Sequence, residues 1–463
     1  MPTVLSPSSS GSTATDSPVL DSKFDDFGTA ATPAIIPPSH PARTLVLCFD
    51  GTGDQFDSDN SNVVQFLTML KKDDRHQQMV YYQVGLLPAC NHQQVPFAYK
   101  MFTRTDDLGW AQSTAFKKAF SIDVDIEFIG VWDTVCSVGL IPRRLPFTTS
   151  NTSVRTFRHA VSLDERRAKF KANLFNRPTE KEAQLGTHAG DMPKAGVDDT
   201  IDAIDTNLTT VQPQPDVVVP TATQKGKKQD GKPGKKSKAK NTQQELERQF
   251  SMQGAQLETD VLEVWFTGCH CDVGGGSVSN DTPHNLARIP LRWMIRQCFL
   301  TNTGIRFHSE LLPNAGLDPA SLYPVVLPRP PAIYTSPSVP SPSHTRDSTA
   351  RTLVNYADAT PSVLTEEEHD LADALCPIYD QLVIAPAWWI LEILPIKHRE
   401  QREDDTWHSA LTVNLGHGRK IPKQKRQGFF VHRSVKIRME TEGLAGGPYT
   451  PRARFKVEPT WVD

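Results

Sequence analysis

The chain has 463 residues, a formal net charge of −3 and 36 prolines. The length suits two or three average domains, but the proline load, with long Ser-rich stretches, leaves a sizeable part outside any packed core. A charge so near zero gives no global field to recruit nucleic acid or acidic lipid, so no nucleic-acid partner is expected.

Residues 1–42 are rich in Ser, Thr, Pro, Ala and Asp and read as a disordered tail. Met1-Pro2-Thr3-Val4-Leu5-Ser6 lacks the basic and apolar regions of a secretory signal. No apolar run is long enough to span a bilayer. The seven cysteines, an odd number without framework spacing, suit a reducing interior. The expected location is cytoplasmic, with a nuclear one allowed by a Lys-rich run further on.

Order is expected from Arg43. Thr44-Leu45-Val46-Leu47-Cys48-Phe49 is a continuous apolar run, as in a strand buried on both faces. It stops at the turn Asp50-Gly51-Thr52-Gly53. Helical spacing follows from Asn62 to Leu70, and Met79-Val80-Tyr81-Tyr82-Gln83 reads as a second strand. This βαβ opening argues for a parallel α/β sheet. Residues 91–120 read as helical or irregular, 125–133 as a third strand, and 155–173 as a helix with Phe157, Ala160, Val161 and Leu163 on one side.

A spacer, residues 177–255, holds the basic run from Lys225 to Lys240 and cannot build a core. Residues 260–270 return the chain to the sheet, and Ile289-Pro290-Leu291-Arg292-Trp293-Met294 opens a helix with Pro near its first turn. Residues 328–352 form a Pro/Ser-rich loop. The C-terminal region, 353–463, includes Ala387-Trp388-Trp389-Ile390-Leu391, expected as a core helix with lipid contact as the alternative, since Trp suits interfaces. Strand-like pieces follow at Phe429-Phe430-Val431 and Ser434-Val435-Lys436-Ile437-Arg438. The folded part therefore divides into 43–176 and 256–327, around the spacer.

Three expected strands end on functional residue types: Asp50, Asp133 and His270. In parallel sheets ligands sit at such carboxyl ends. A single Asp after a strand is ordinarily a turn or cap residue, and only the coincidence of three is specific. Asp133 then His270 follow the second half of the Ser…Asp/Glu…His order of α/β-hydrolases. His270 would be the general base, and Asp133 would fix its tautomer and stabilise the imidazolium. The Gly-x-Ser-x-Gly elbow is absent. Asp50, Gly51 and Thr52, with Gly274, Gly275 and Gly276, could aim backbone N–H groups at an oxyanion or admit substrate closely.

Cys269, His270, Cys271 and Asp272 offer metal donors, but neighbouring positions on a strand face opposite ways, so neither metal nor cofactor is expected. The Walker spacing is also missing. A haloacid-dehalogenase-like phosphohydrolase is a minor alternative at Phe49-Asp50-Gly51-Thr52. Its nucleophilic carboxylate would fall on Cys48, which cannot form an aspartyl-phosphate.

Several segments resemble one family: the α/β-hydrolase domain of type VI secretion phospholipase effectors and their fungal relatives. They are Leu45-Val46-Leu47-Cys48-Phe49-Asp50-Gly51-Thr52, Asn62-Val63-Val64, Val80-Tyr81-Tyr82-Gln83, Gly130-Val131-Trp132-Asp133-Thr134-Val135, Arg158-His159-Ala160-Val161-Ser162-Leu163-Asp164-Glu165, and, most specific, Trp265-Phe266-Thr267-Gly268-Cys269-His270-Cys271-Asp272-Val273-Gly274-Gly275-Gly276. The resemblance implies an α/β-hydrolase-like, mostly parallel sheet flanked by helices, interrupted here by long disordered insertions. It also implies a Ser–Asp–His hydrolase of ester or phospholipid-like substrates, with Asp133 and His270 at the acid and base positions.

The family's nucleophile elbow falls between the Tyr-Tyr-Gln strand and the Val-Gly-Leu-Leu segment, yet here Gln83 runs straight into Val84-Gly85-Leu86-Leu87. A strand, elbow and helix need roughly 30 residues. Ser113 and Ser137 are poor substitutes, one without a preceding strand and one after the acid in chain order. Cys90 and Cys136 are no better placed. Two readings follow: a hydrolase lacking its nucleophile segment, or a pseudoenzyme scaffold that uses its disordered arms for partners.

Overall fold

The structure is a computed structural model. It describes residues 32–51, 56–83, 112, 126–135, 154–175, 259–334, 364–402, 406–444 and 446–463. The spacer 177–255, most of the Pro/Ser-rich loop, residues 91–120 apart from Gln112, Thr52, Cys90, Ser113, Cys136 and Ser137 lie outside the described residues.

In chain order the strands are β1 (Ile35–Ile36), β2 (Thr44–Phe49), β3 (Gln78–Gln83), β4 (Ile126–Trp132), β5 (Val154–Ser162), β6 (Asp260–Phe266), β7 (Phe307–His308), β8 (Ile396–Gln401), β9 (Trp407–Thr412), β10 (Phe430–His432) and β11 (Thr460–Val462). The α-helices are α1 (Asn62–Met69), α2 (His270–Gly274), α3 (Arg288–Leu300), α4 (Glu366–Ala374), α5 (Gln381–Ile384), α6 (Trp389–Glu392), α7 (Gln424–Gln427) and α8 (Arg433–Glu440).

The central sheet has the order β11-β10-β6-β5-β4, and every neighbouring pair is parallel. It is an α/β fold, as the βαβ reading requires. The strand pair β2–β3 is parallel too, in register from Thr44 opposite Gln78 to Phe49 opposite Gln83. Among the described residues it forms a separate two-stranded sheet. Strand β1 pairs with β7, and Ile36 is fully buried, so the described fold starts upstream of Arg43.

Three expectations need correction. The segment expected as a helix over 155–173 is the central strand β5 followed by an irregular stretch. Its positions are buried on both faces from Thr156 onward. When every position is buried, alternation disappears and helical spacing can be read into any apolar subset. The polar members are satisfied. Arg158 donates from Nε to Gln297 Oε1 (2.7 Å) and from Nη2 to Asp260 Oδ2 (2.5 Å), and His159 Nδ1 lies 2.9 Å from Glu263 Oε1. The second correction is Ser434 to Arg438, expected as a strand, which is helix α8. Its Val435 and Ile437 face different clusters, which is why the run looked continuous.

The third is the Trp388 to Leu391 stretch, expected as a core helix. It is a short surface turn of helix, with Ile390 63% exposed. Its only fully buried member at the C-terminal end is a carboxylate, Glu392.

Helix α3 lies between the core clusters, contributing Leu291, Ile295 and Cys298 to one and Ile289, Trp293 and Met294 to another. Its cationic face is also buried. Arg292, 1% exposed, donates to Asp370 Oδ1 at 2.6 Å and pairs with Asp373 Oδ2 at 2.7 Å, both on α4. Arg296 makes a fork to Glu366 on the same helix. These ion pairs tie the C-terminal region to the sheet domain. Removing one member of a buried pair leaves the other charge stranded. Arg292→Ala is therefore expected to lower unfolding stability by about 3–5 kcal/mol, read from urea melts followed by circular dichroism.

Candidate active site

Strand β4 ends at Trp132, and the next residue, Asp133, takes a left-handed backbone (φ 44°). The turn is held by Asp133 N–H, which donates to Ala160 O at 2.7 Å across the neighbouring strand β5. This sends the carboxylate into the protein, where it is fully buried. Its Oδ1 accepts the Ser162 N–H at 2.8 Å, and its Oδ2 lies 2.6 Å from His270 Nδ1.

His270 is the first residue of α2, not the last of a strand as the sequence suggests. The chain leaves β6 at Phe266, turns at Gly268 and starts the helix after Cys269. Gly268 has φ 109°, and a Cβ there would sit 2.4 Å from the Asp272 Cβ, so glycine is required. Asp272 Oδ2 accepts the Cys269 N–H at 2.8 Å and closes the helix start. Glu165 Oε2 accepts the His270 N–H at 3.2 Å. The imidazole packs edge-on against Phe170, with centroids 5.0 Å apart, and Phe170 packs on Trp388. The His270 side chain is 26% exposed, and among the described residues no hydrogen bond reaches its Nε2. An imidazole with Nδ1 tied to a carboxylate and Nε2 open is arranged to take a proton at Nε2.

Reasoning from the sequence missed Arg419. Its Nη1 donates to Asp133 Oδ1 at 2.5 Å and to Ser162 Oγ at 2.8 Å, while Nη2 donates to Asp133 Oδ2 at 2.9 Å and to Phe170 O at 2.6 Å. Burial alone would push the Asp133 carboxyl up. The Arg419 guanidinium and the hydrogen bond from His270 overcome burial and hold it far below the usual carboxylate range. Arg419 follows Gly416-His417-Gly418, a stretch with no strand or helix pattern, so no periodicity marks it.

The glycine loops meet at the start of α1. Ser61 forms a β-bridge with Gly275, whose φ is 89° and whose backbone approaches Asn62 so closely that a Cβ would lie 2.5 Å from the Asn62 nitrogen. Asp50 Oδ1 accepts the Ser61 hydroxyl at 2.7 Å, and Oδ2 accepts the Tyr82 hydroxyl at 2.7 Å. Asp50 thus latches the ends of β2 and β3 to α1. The Gly51 N–H donates to the Asp50 carboxylate at 2.9 Å, so in this structure that amide is engaged locally. An added Cβ at Gly274 would meet nothing within 4 Å among the described residues. Helix α2 joins the two groups: at 1.5 Å per residue its five residues put Gly275 roughly 7.5 Å along the axis from His270. Asp50 and Gly51 are thus linked through Ser61 to Gly275, just beyond the helix that His270 opens, while Thr52 lies outside the described residues.

Burial pushes the Cys269 thiol up, and neighbouring carboxylates add to that. Among the described residues no group of three His, Cys, Asp or Glu is placed to hold a metal ion. No described helix is long and apolar enough to cross a membrane.

A parallel α/β sheet with helices around it, carrying an Asp–His pair beyond its strand ends, defines a protein of the α/β class. The chain belongs to the family described as "T6SS, Phospholipase effector Tle1-like, catalytic domain", whose model matches residues 43–86 and 83–297, more than half of the chain. It is similar to the "Uncharacterized protein YEL023C" of Saccharomyces cerevisiae (strain ATCC 204508 / S288c), with 23% identity over 575 aligned positions, covering 90% of this chain and 83% of the yeast protein. A solved structure, the "Crystal structure of an uncharacterized protein from Pseudomonas aeruginosa", aligns with 14% identity and a TM-score of 0.29 over 58% of this chain. The chain spans 47% of that protein.

The Asp272 carboxyl has a measurable consequence. It is 1% exposed, and burial pushes it up to about 7, with Asp164 adding to the rise. It binds its proton more tightly folded than unfolded, so stability should fall as pH rises from ~4 to about 7 and then level off. Asp272→Asn keeps an acceptor for the Cys269 N–H but cannot ionise. Its urea midpoint is expected to lack the wild-type decline across that window, and parallel slopes would refute the assignment.

Proposed function

We propose that this chain carries the acid–base half of a Ser–Asp–His hydrolase acting on lipid-like esters, with Asp133 as acid and His270 as base. The observation that carries the reading is the 2.6 Å contact between His270 Nδ1 and Asp133 Oδ2, with no hydrogen bond to Nε2 among the described residues. Membership of a phospholipase effector family makes a lipid ester the fitting substrate class.

The second half of the reading is that the nucleophile segment is missing between Gln83 and Val84. The two family matches abut at 83–86, the point where the strand, elbow and helix would enter. The alignment to the yeast protein runs over 575 positions, more than the 463 residues of this chain. Sheet β2–β3 is not hydrogen-bonded to β4 among the described residues, and Leu45, Leu47 and Phe49 on one face of β2 are exposed. A strand between β3 and β4, with a helix behind it, would join the sheets and cover that face.

As written, the chain is expected to hydrolyse p-nitrophenyl butyrate no faster than its His270→Ala variant. Loss of a nucleophile removes about 10⁶ in turnover. Sequencing the source transcript across Gln83–Val84 is expected to reveal the extra segment. An ester hydrolysis that His270→Ala abolishes in the present chain overturns the missing-nucleophile half of the reading.

A second observation supports contact with a lipid surface. Ile390, Ile393 and Leu394 are exposed beside Val413 and Leu415. The Leu415 N–H donates to Glu392 O at 3.0 Å, so the two stretches share one face. That face adjoins the site through Trp388 and Phe170. Ile390→Glu with Leu415→Glu is expected to reduce co-flotation with phosphatidylcholine vesicles at least several-fold, and unchanged flotation removes this contact.

A further inference from the structure

We propose that Arg419, which lies beyond the family match, is a positioning residue for the Asp133–His270 pair, and that the C-terminal region is therefore part of the catalytic site. The inference rests on the reading of that pair as acid and base.

The geometry is specific to a guanidinium. Asp133 Oδ1 receives Arg419 Nη1 at 2.5 Å and Oδ2 receives Nη2 at 2.9 Å, so the fork fixes the rotation of the carboxylate. That rotation decides whether Oδ2 points at His270 Nδ1, which it meets at 2.6 Å. The fork is itself held. Nη1 also donates to Ser162 Oγ at 2.8 Å, and Nε and Nη2 both donate to Phe170 O, at 3.0 and 2.6 Å. Phe170 is the residue whose ring packs against His270. Arg419 thus sets both partners of the imidazole: the carboxylate at its Nδ1 and the ring against its face. A lysine at the same place would keep the charge, but its point-like ammonium cannot form two parallel bonds to one carboxylate.

A merely structural arginine would stabilise the fold without controlling the His–Asp hydrogen bond. Arg292 provides the comparison. It too is buried, and it donates from Nε and Nη2 to Asp370 Oδ1 on α4, with no hydrogen bond to Asp133 or His270 among the described residues. The experiment is one-dimensional proton NMR of the full chain, following the far-downfield Nδ1 proton of His270, assigned by its absence in His270→Ala. Arg419→Lys is expected to fold, by far-ultraviolet circular dichroism, and to lose or shift that resonance upfield. Arg292→Lys is expected to lower the melting temperature and leave the resonance in place.

An unmoved resonance in folded Arg419→Lys overturns the positioning role while leaving the acid–base pair intact. A resonance absent from the wild-type chain overturns the pair itself, and this inference with it. Should Arg419→Lys not fold, Arg419→Gln, which leaves the Asp133 carboxylate in place as acceptor of the His270 Nδ1 proton, is read in the same way: a lost or shifted resonance is expected, and an unmoved one overturns the proposal.

Discussion

The arrangement depends on one buried carboxylate. Asp133 sits at the end of β4 in a left-handed turn, without solvent, and would be too costly to ionise unaided. Four groups make its charge tolerable: the Ser162 amide, the His270 imidazole and the two arms of the Arg419 fork. They come from three different parts of the chain. Ser162 ends β5, His270 opens α2 after β6, and Arg419 belongs to the C-terminal region. Satisfying Asp133 therefore requires the sheet order, the β6–α2 turn and the docking of the C-terminal region to be correct together.

Charge organises the rest of the interior in the same way. Arg292 and Arg296 on α3 hold the acidic face of α4. Glu392, fully buried, accepts from the Ala168 N–H, the Asn414 amide and the Gly416 N–H, and so fixes the apolar turn of α6 beside residues 166–170. A buried pair contributes little net stability compared with an apolar pair of the same shape, but a mismatched one is severely destabilising. Such pairs select one docking of the C-terminal region over others.

Much of this was readable in the sequence. The run from Thr44 to Phe49, the helix from Asn62 and the strand ending at Asp133 have the bounds that their apolar patterns give. Asp133 and His270 stood out because three expected strand ends coincide in carrying functional residue types. Strand β5 was not legible, because a strand buried on both faces carries no alternation. Helix α8 failed for the mirror reason: its apolar residues are split between two clusters. Arg419 was beyond reach. Its partner lies 286 residues earlier, and a residue defined only by a long-range contact leaves no local trace.

The Arg419 fork also bears on what chemistry the proposed site suits. Carboxylate and guanidinium cancel, so the assembly around a neutral imidazole has no net charge. When His270 takes a proton, the local sum becomes positive, at the moment an oxyanion forms in acyl transfer. Part of the help given to that anion would then come from the acid–base apparatus itself. This matters here because the Gly51 amide is turned toward Asp50 and is not free in the present chain. The same positive balance suits an anionic phosphate beside the scissile ester.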